Sequence, residues 1–468
     1  MQHPSAGTIQ GPGRGGMSRR SFLRRGAAIA SVPTFGGLLQ ACGGGDGGGG
    51  GGTASLDFWW WAEQDAPGAN KFLDESIAAW RDQGGDHAAI KIAEQQTDTL
   101  VANFQSAAAA RSGPDIASQW ATGPVLSQAW GEAISPISQH VDAAEIEHWL
   151  FRQENMYDGE LWAAPLYIIG QPFTMNKKLF EKADLDPEDP PADWDALIAA
   201  CEQLKKAGIT PLGLGNQDTF GGRWMFAFLA VQQLNELDEL RQMVIGEASF
   251  TDPKFTEWMD RLKELIDRKY FNDDVMSLDF GSGFDVFGSG KAAMSWATEG
   301  AVRDWSEKLG EDAVAPIPMP KFGSGQLADA YTATQSTAFF PTAWASDPAE
   351  AAAFLAFLHT EERLNSWYEH TNVIPADDRF DREQARSQSD LSRQLVDLSS
   401  SGPQIWLENW IPPELDDKAN GPAGQVLFTG GTVKEAAAIW DQQAEVWRSQ
   451  QRDDLERWKA WDQSPVVV

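Results

Sequence analysis

Residues 157–176, YDGELWAAPLYIIGQPFTMN, decide how this chain is organised. Asp158-Gly159 between apolar runs is a turn signal, and Pro165 punctuates the run that follows. Leu166 to Met175 is apolar enough to be a buried, extended segment. Behind it, NKKLFEKADL reads as a short amphipathic helix, DPEDPP as a break, and a second helix begins near Trp194. A strand that leaves one compact body and enters another has this form, so the stretch is read as a hinge with a lobe on either side.

Working back from the hinge, the chain alternates strand and helix. Leu56 to Trp61 is apolar and β-favouring; Phe72, Leu73, Ile77 and Trp80 form a helical stripe; Ala88 to Ala93 reads as a second strand. A helix near Thr99 to Arg111 is broken by Gly113-Pro114 before a strand from Asp115 to Gln119. This alternation predicts an α/β fold with a mostly parallel sheet covered by helices on both faces. Ligands of such sheets bind beyond the carboxyl ends of the strands, here Trp59 to Gln64 and Gln119-Trp120. Within Trp59-Trp60-Trp61, strand alternation sets Trp60 opposite its two neighbours.

At 468 residues, 42% of them hydrophobic, the chain can bury a sizeable core and form two or more globular bodies. Its net charge of -31 excludes a nucleic-acid partner, because no basic face is available to meet phosphates. Six His show no metal-ligand spacing, and no catalytic constellation or cofactor motif is present. GNQDTFGGRW and GSGFDVFGSGK lack the Lys-Ser/Thr ending of a phosphate loop and read as flexible loops.

The first 41 residues read as a targeting segment. Ser18-Arg19-Arg20-Ser21-Phe22-Leu23 is a twin-arginine export motif, and the apolar run from Ala27 to Leu39 is too short for a permanent membrane span. Leu39-Gln40-Ala41-Cys42 is lipobox-like, so Cys42 becomes the acylated N-terminus, with Met17 a candidate start. Cleavage removes Arg14, Arg19, Arg20, Arg24 and Arg25 and no acidic residue, so the mature chain is more acidic still. Residues 42–54 hold the lipidated Cys and a glycine-rich tether of roughly 16–19 Å r.m.s. span. The expected location is the extracytoplasmic face of the cell membrane, held by lipid rather than by a spanning helix. Cys201 sits with Trp194, Leu197, Ile198 and Leu204 at helical spacing, as a buried structural thiol would.

YDGELWAAPLY, MNKKLF and DPEDPPADWDALIAACEQLKKAGITPLGLG together resemble the extracellular solute-binding proteins of bacterial ABC importers, in particular the carbohydrate-binding, maltose-binding-like group. LDFWWWAEQD is similar to that family's first strand and loop, SGPDIASQW to its Pro-Asp-Ile strand, and FGSGKAAMSWATEGAVRDW to its Phe-x-x-Gly-Lys-Ala-Ala-Met segment. YTATQSTAFFPTAW resembles a second crossing, Asn372 to Pro375 a third, and GPQIWLENWIPPE a stretch bearing an aromatic ligand contact.

The resemblance implies a periplasmic-binding-protein-like fold of two α/β lobes. The N-terminal lobe would comprise 55–168 plus 332–372, and the C-terminal lobe 169–331 plus 373–468. It implies ligand contacts at Trp61, Glu63, Gln64, Gln119, Trp120, Trp296, Glu299 and Trp406; Trp59 and Trp224, in or beside expected loops, and Tyr167, in the hinge stretch, are further candidates. Trp305 is a weaker candidate, and Asp115 is expected to support its strand end.

The implied activity is carbohydrate capture by hinge closure and delivery to an ABC permease, by a monomer that is no enzyme. A sugar's C–H face stacks on an aromatic plane while its hydroxyls need paired donors and acceptors, and Trp beside Glu, Gln or Asn offers both. Two alternatives stand beside it: the same fold holding a polyamine or other small solute against Glu63 and Glu299, and a surface glycoside hydrolase using those carboxylates as a pair.

Overall fold

The structure, a computed structural model, describes residues 55–61, 63, 66–335 and 337–461; of 97, 98, 466 and 467 it describes the backbone alone. The export segment, Cys42, the tether and Gln64 lie outside the described residues. The strands of the two main sheets and their link run β1 (Ser55–Trp60), β2 (Ala89–Glu94), β3 (Ile116–Trp120), β4 (Ala164–Pro165), β5 (Ile169–Gly170), β6 (Phe173–Asn176), β7 (Thr210–Gly213), β8 (Ala292–Trp296), β9 (Val314–Ile317), β10 (Ala333–Thr334) and β11 (Thr337–Pro341).

The first sheet has the order β2-β1-β3-β11-β4. β1 pairs in parallel with β2 and β3, as the strand–helix alternation predicts, while β11 returns antiparallel to β3. In β1, Leu56, Phe58 and Trp60 point into the core, where Trp60 stacks on Phe339 at 4.6 Å. β1 stops at Trp60, so alternation does not carry into Trp61, which is also fully buried while Trp59 stays half-exposed. The expectation that Trp59 and Trp61 share a side is thereby corrected.

The second sheet has the order β9-β6-β8-β7. β7 and β8 are parallel, and β6 is antiparallel to both β8 and β9, so the carboxyl ends of β7, β8 and β9 lie at one edge with the start of β6. The helix Trp194–Lys206 covers this sheet; Asp193 accepts its Ala196 N–H at 2.8 Å as an N-cap, and its buried stripe is Trp194, Leu197, Cys201 and Leu204. Burial pushes the Cys201 thiol well above the usual range, which keeps it protonated and unreactive.

Three passes of chain join the sheets. β5 follows β4 out of the first sheet and leads into β6; β10 follows β9 and leads into β11; and the two pair antiparallel, Ile169 with Thr334 and Gly170 with Ala333. The third pass bridges Tyr167 to Pro375 between the helices Glu361–Thr371 and Asp390–Ser399. The first of these helices packs Trp367 on Phe72 and Tyr167; the second places Leu391 and Leu395 against Val314 and Trp305. A Cβ at Gly170 would collide with Tyr331 and Glu299, so only glycine permits this approach within the link.

The two glycine-rich stretches are not flexible loops. Phe220–Met225 and Phe280–Gly288 are helical, and their glycines allow backbone to meet backbone: a Cβ on Gly222 would lie 3.2 Å from Gly424 Cα. The composition that suggested mobility here permits close packing instead.

Candidate functional site

Aromatic side chains gather in two groups, one just past β1 and β3 and the other on the helices Phe220–Met225 and Phe280–Gly288 and the segment at Trp406. On the first sheet Trp61 and Trp120 lie 5.5 Å apart, inclined at 52°. On the second, Trp224 meets Trp406 edge-on at 5.4 Å and Phe280 at 4.0 Å. Trp406 packs against the hydrophobic cores of both sheets. The segments carrying Trp120 and Trp406 also touch, since a Cβ on Gly123 would lie 2.9 Å from Asn409 O and 3.0 Å from Ile411 O.

Polar groups line the second aromatic group. Trp406 donates its indole N–H to Glu408 at 2.7 Å, and Arg223 donates to Asp416 at 2.7 Å and Asp417 at 3.0 Å. Asn420 also donates to Asp416, at 2.9 Å. Burial, and then the neighbouring Asp416, push the Glu408 carboxyl well above the usual carboxylate range. Burial raises Asp416 as well, but the Arg223 guanidinium and the Asn420 amide hold its negative charge, so of the two Glu408 takes up a proton the more readily. A carboxyl that favours its neutral form, in which it can donate and accept, thus lies beside an ion-paired aspartate and an aromatic wall.

The other sequence candidates take varied roles. Glu63 accepts the backbone N–H groups of Gly68 at 3.0 Å and Asn70 at 2.8 Å, so it caps the helix Ala69–Asp82. Gln119 is buried and accepts the Trp120 N–H at 3.0 Å, fixing the turn out of β3. Tyr167 donates to Thr337 at 2.9 Å and stacks on Trp367 at 4.8 Å within the crossing region. Trp59 remains on β1, its carbonyl accepting from Ser118. Trp296, at 1% exposure, stacks between Phe173 and Phe228 rather than beside Trp224 or Trp406. Glu299 accepts from Tyr331 Oη at 3.1 Å, and burial holds its carboxyl above the usual range despite nearby Arg303 and Arg382. Asp115, as expected, ties strand ends: it accepts from Asp57 N at 2.9 Å and Ser346 N at 2.7 Å.

Several polar residues escaped the sequence reading. Arg223 sits beside Trp224 in a stretch taken for a loop, and Asp416-Asp417 follows a Pro-Pro pair as an unremarkable acidic run; only the fold joins them. Glu154 is fully buried under the crossing strands, accepting from Thr122 at 3.3 Å, Thr334 at 3.0 Å and Gln335 at 3.3 Å. Burial raises its carboxyl from 4.5 to about 7.

Two α/β sheets joined by three crossings, with clustered aromatic and polar side chains beside them, define a two-lobed solute-binding fold. The chain belongs to the bacterial extracellular solute-binding protein family, whose model matches residues 76–390. It is 24% identical over 232 residues to an uncharacterized ABC transporter extracellular-binding protein of Pyrococcus horikoshii, covering 48% of this chain and 49% of that protein. The chain thus spans about half the length of the curated relatives it matches. Among solved structures it resembles a chitin oligosaccharide binding protein (TM-score 0.73, 20% identity, 84% of this chain and 100% of that one). It also resembles the GacH receptor of Streptomyces glaucescens, solved unliganded and with acarbose (TM-score 0.67, 18% identity, 86% and 99%).

Proposed function

We propose that this protein captures a carbohydrate between its lobes by hinge closure and delivers it to a membrane ABC permease. The observation that carries the proposal is the pairing of Trp224 and Trp406 with the raised Glu408 carboxyl and the Arg223–Asp416 pair, brought together by the helix after β7 and the segment from Trp406 to Asp416. Aromatic planes suit the C–H faces of a sugar, and a protonated carboxyl with a fixed guanidinium offers donors and acceptors to its hydroxyls. From the first lobe, the half-buried Trp120, packed on Trp61, is proposed as a further stacking surface. Two solved structures of this fold are of proteins that bind chitin oligosaccharides and acarbose, which supports the same ligand class.

A cationic ligand would need uncommitted carboxylates. Glu63 caps a helix, Glu299 is held by Tyr331, Glu408 favours its neutral form and Asp416 is ion-paired, so the polyamine reading is disfavoured. The same commitments take Glu63 and Glu299 out of the carboxylate pair on which the hydrolase alternative rested. The lobes are proposed as 55–168 plus 332–372 and 169–331 plus 373–468, acting as a monomer. The twin-arginine segment and Cys42 support lipid anchoring at the extracytoplasmic face, and among the described residues no helix is long and apolar enough to cross a membrane.

The test is intrinsic tryptophan fluorescence titrated with mono- and oligosaccharides and, in parallel, with polyamines. A saturable sugar response without hydrolysis supports the proposal. Silence across the sugars together with a salt-sensitive polyamine response overturns it.

A further inference from the structure

The aromatic group around Trp224 and Trp406 does not end at those two rings. Trp224 meets Phe228 edge-on at 6.1 Å, and Phe228 stacks on Trp296 at 5.8 Å, so a run of rings leads from Trp406 to the end of β8. There it lines a cavity of about 380 Å³ beside the crossing segments, with mostly apolar walls that include Phe173, Ile317, Met319 and Pro191. The volume falls within the roughly 300–1,000 Å³ typical of small-molecule sites. The cavity is the hinge-side end of the same cleft, and its walls bear on which sugar that cleft takes.

Most polar groups on these walls are committed. Gln232 accepts from Phe322 N at 3.0 Å and donates to Pro320 O at 3.3 Å, Tyr331 donates to Glu299 at 3.1 Å, and Lys321 is ion-paired to Asp329. Gln171 differs from them. It follows β5 directly, its backbone N–H donates to Thr332 O at 2.8 Å, and it is 2% exposed. Neither its amide nitrogen nor its amide oxygen has a hydrogen-bond partner among the described residues, which is costly and uncommon for a buried amide. Its terminal torsion is a broad one, so the amide can turn into the cavity to meet a partner there. A second donor is loosely held: the Trp296 indole N–H reaches the Met319 thioether at 3.3 Å, and sulfur is a weak acceptor.

We propose that this end of the cleft selects sugars that carry an acetamido group, with Gln171 and Trp296 as the residues that read it; the inference rests on the carbohydrate reading above and narrows it. A trans acetamido group sets its N–H and its carbonyl on opposite edges. The N–H suits Gln171 Oε1, and the carbonyl suits the Trp296 indole N–H, for which it is a better acceptor than a thioether. Gln171 Nε2 is then left for a neighbouring ring hydroxyl, and the acetamido methyl takes the apolar wall of Phe173, Phe228 and Met319. A plain hexose brings only hydroxyls to the same wall, and each one buried there without a partner weakens binding. An acidic sugar is disfavoured as well, because the Lys321 ammonium at the cavity is already paired with Asp329.

The probes are matched sugars that differ only in acetamido groups: N-acetylglucosamine with glucose, N-acetylgalactosamine with galactose, and diacetylchitobiose with cellobiose, each titrated calorimetrically into the full chain. In at least one pair the acetamido member is expected to bind saturably, and about 10-fold or more tightly than its plain partner, as paired rather than unpaired polar groups require. Gln171→Leu should reduce that preference to about 3-fold or less while its melting temperature stays equal or rises, since an amide without partners leaves the interior. The melting temperature thereby separates loss of recognition from loss of the fold. A plain sugar that binds as tightly as the acetamido sugars, or a preference that survives Gln171→Leu, overturns this inference and leaves the carbohydrate reading standing. Silence toward every sugar, plain and acetamido alike, overturns both.

Discussion

Glu154 gives the sharpest quantitative prediction. Its carboxyl is fully buried where the first sheet meets the second crossing, accepting from Thr122, Thr334 and Gln335 through one oxygen, while the other has no partner. Three neutral donors do not offset the loss of water around a charge, so burial lifts its titration from 4.5 to about 7. The sign follows from proton binding. Below pH ~4.5 the carboxyl is protonated in both states and its contribution to stability is whole; between there and pH ~7 the unfolded chain releases the proton and the folded one keeps it, so stability falls as pH rises. A displacement of that size corresponds to about 3 kcal/mol across the window.

Glu154→Gln should remove this dependence, because an amide oxygen can accept the same three bonds and never ionises. Equilibrium urea unfolding of both proteins at pH 5, 6, 7 and 8 measures it. The variant should match the wild type near pH 5 and exceed it by up to about 3 kcal/mol at pH 8. A difference between the two that stays constant from pH 5 to pH 8 would refute the assignment of a protonated carboxyl to this site.

Three further outcomes are expected. Trp406→Ala should weaken sugar binding by about 1–3 kcal/mol, or about 5–150-fold, measured by calorimetry against the ligand found by fluorescence; an unchanged affinity removes Trp406 from the site. Arg223→Leu should destabilise the fold by about 3 kcal/mol, read from thermal or urea unfolding, since it leaves Asp416 and Asp417 beside Glu408 without their cation. Cys201 should resist iodoacetamide in the native protein at pH 8 and react once urea unfolds it, as mass spectrometry of the labelled chain will report; rapid native labelling would contradict its burial.

Much of the secondary structure was legible along the chain. Period-two and period-3.6 apolar patterns, punctuated by Pro and Gly, are local properties, and they located β1, β2, β3, the helix from Trp194 and the extended passage through Leu166 to Met175. Cys201 was legible as core for the same reason, since Trp194, Leu197 and Leu204 share its helical face. Turn chemistry does not fix where a strand ends, so Trp61 could not be separated from Trp59 until the fold showed β1 stopping at Trp60. Glycine is equally ambiguous, because the freedom that permits a loop also permits the backbone contact of Gly222 with Gly424.

Which polar groups act together depends on contacts between distant parts of the chain. Arg223 and Asp416 are 193 residues apart, Glu154 and Thr334 180 apart, and Glu299 meets Tyr331 across the link between the sheets. The protonation of Glu154 and Glu408 follows from burial and neighbours, which no spacing along the chain encodes. Trp296 carries the same point: its family-like segment is plain in sequence, but only the fold sets its ring between Phe173 and Phe228, at the wall of the cavity beside the crossings.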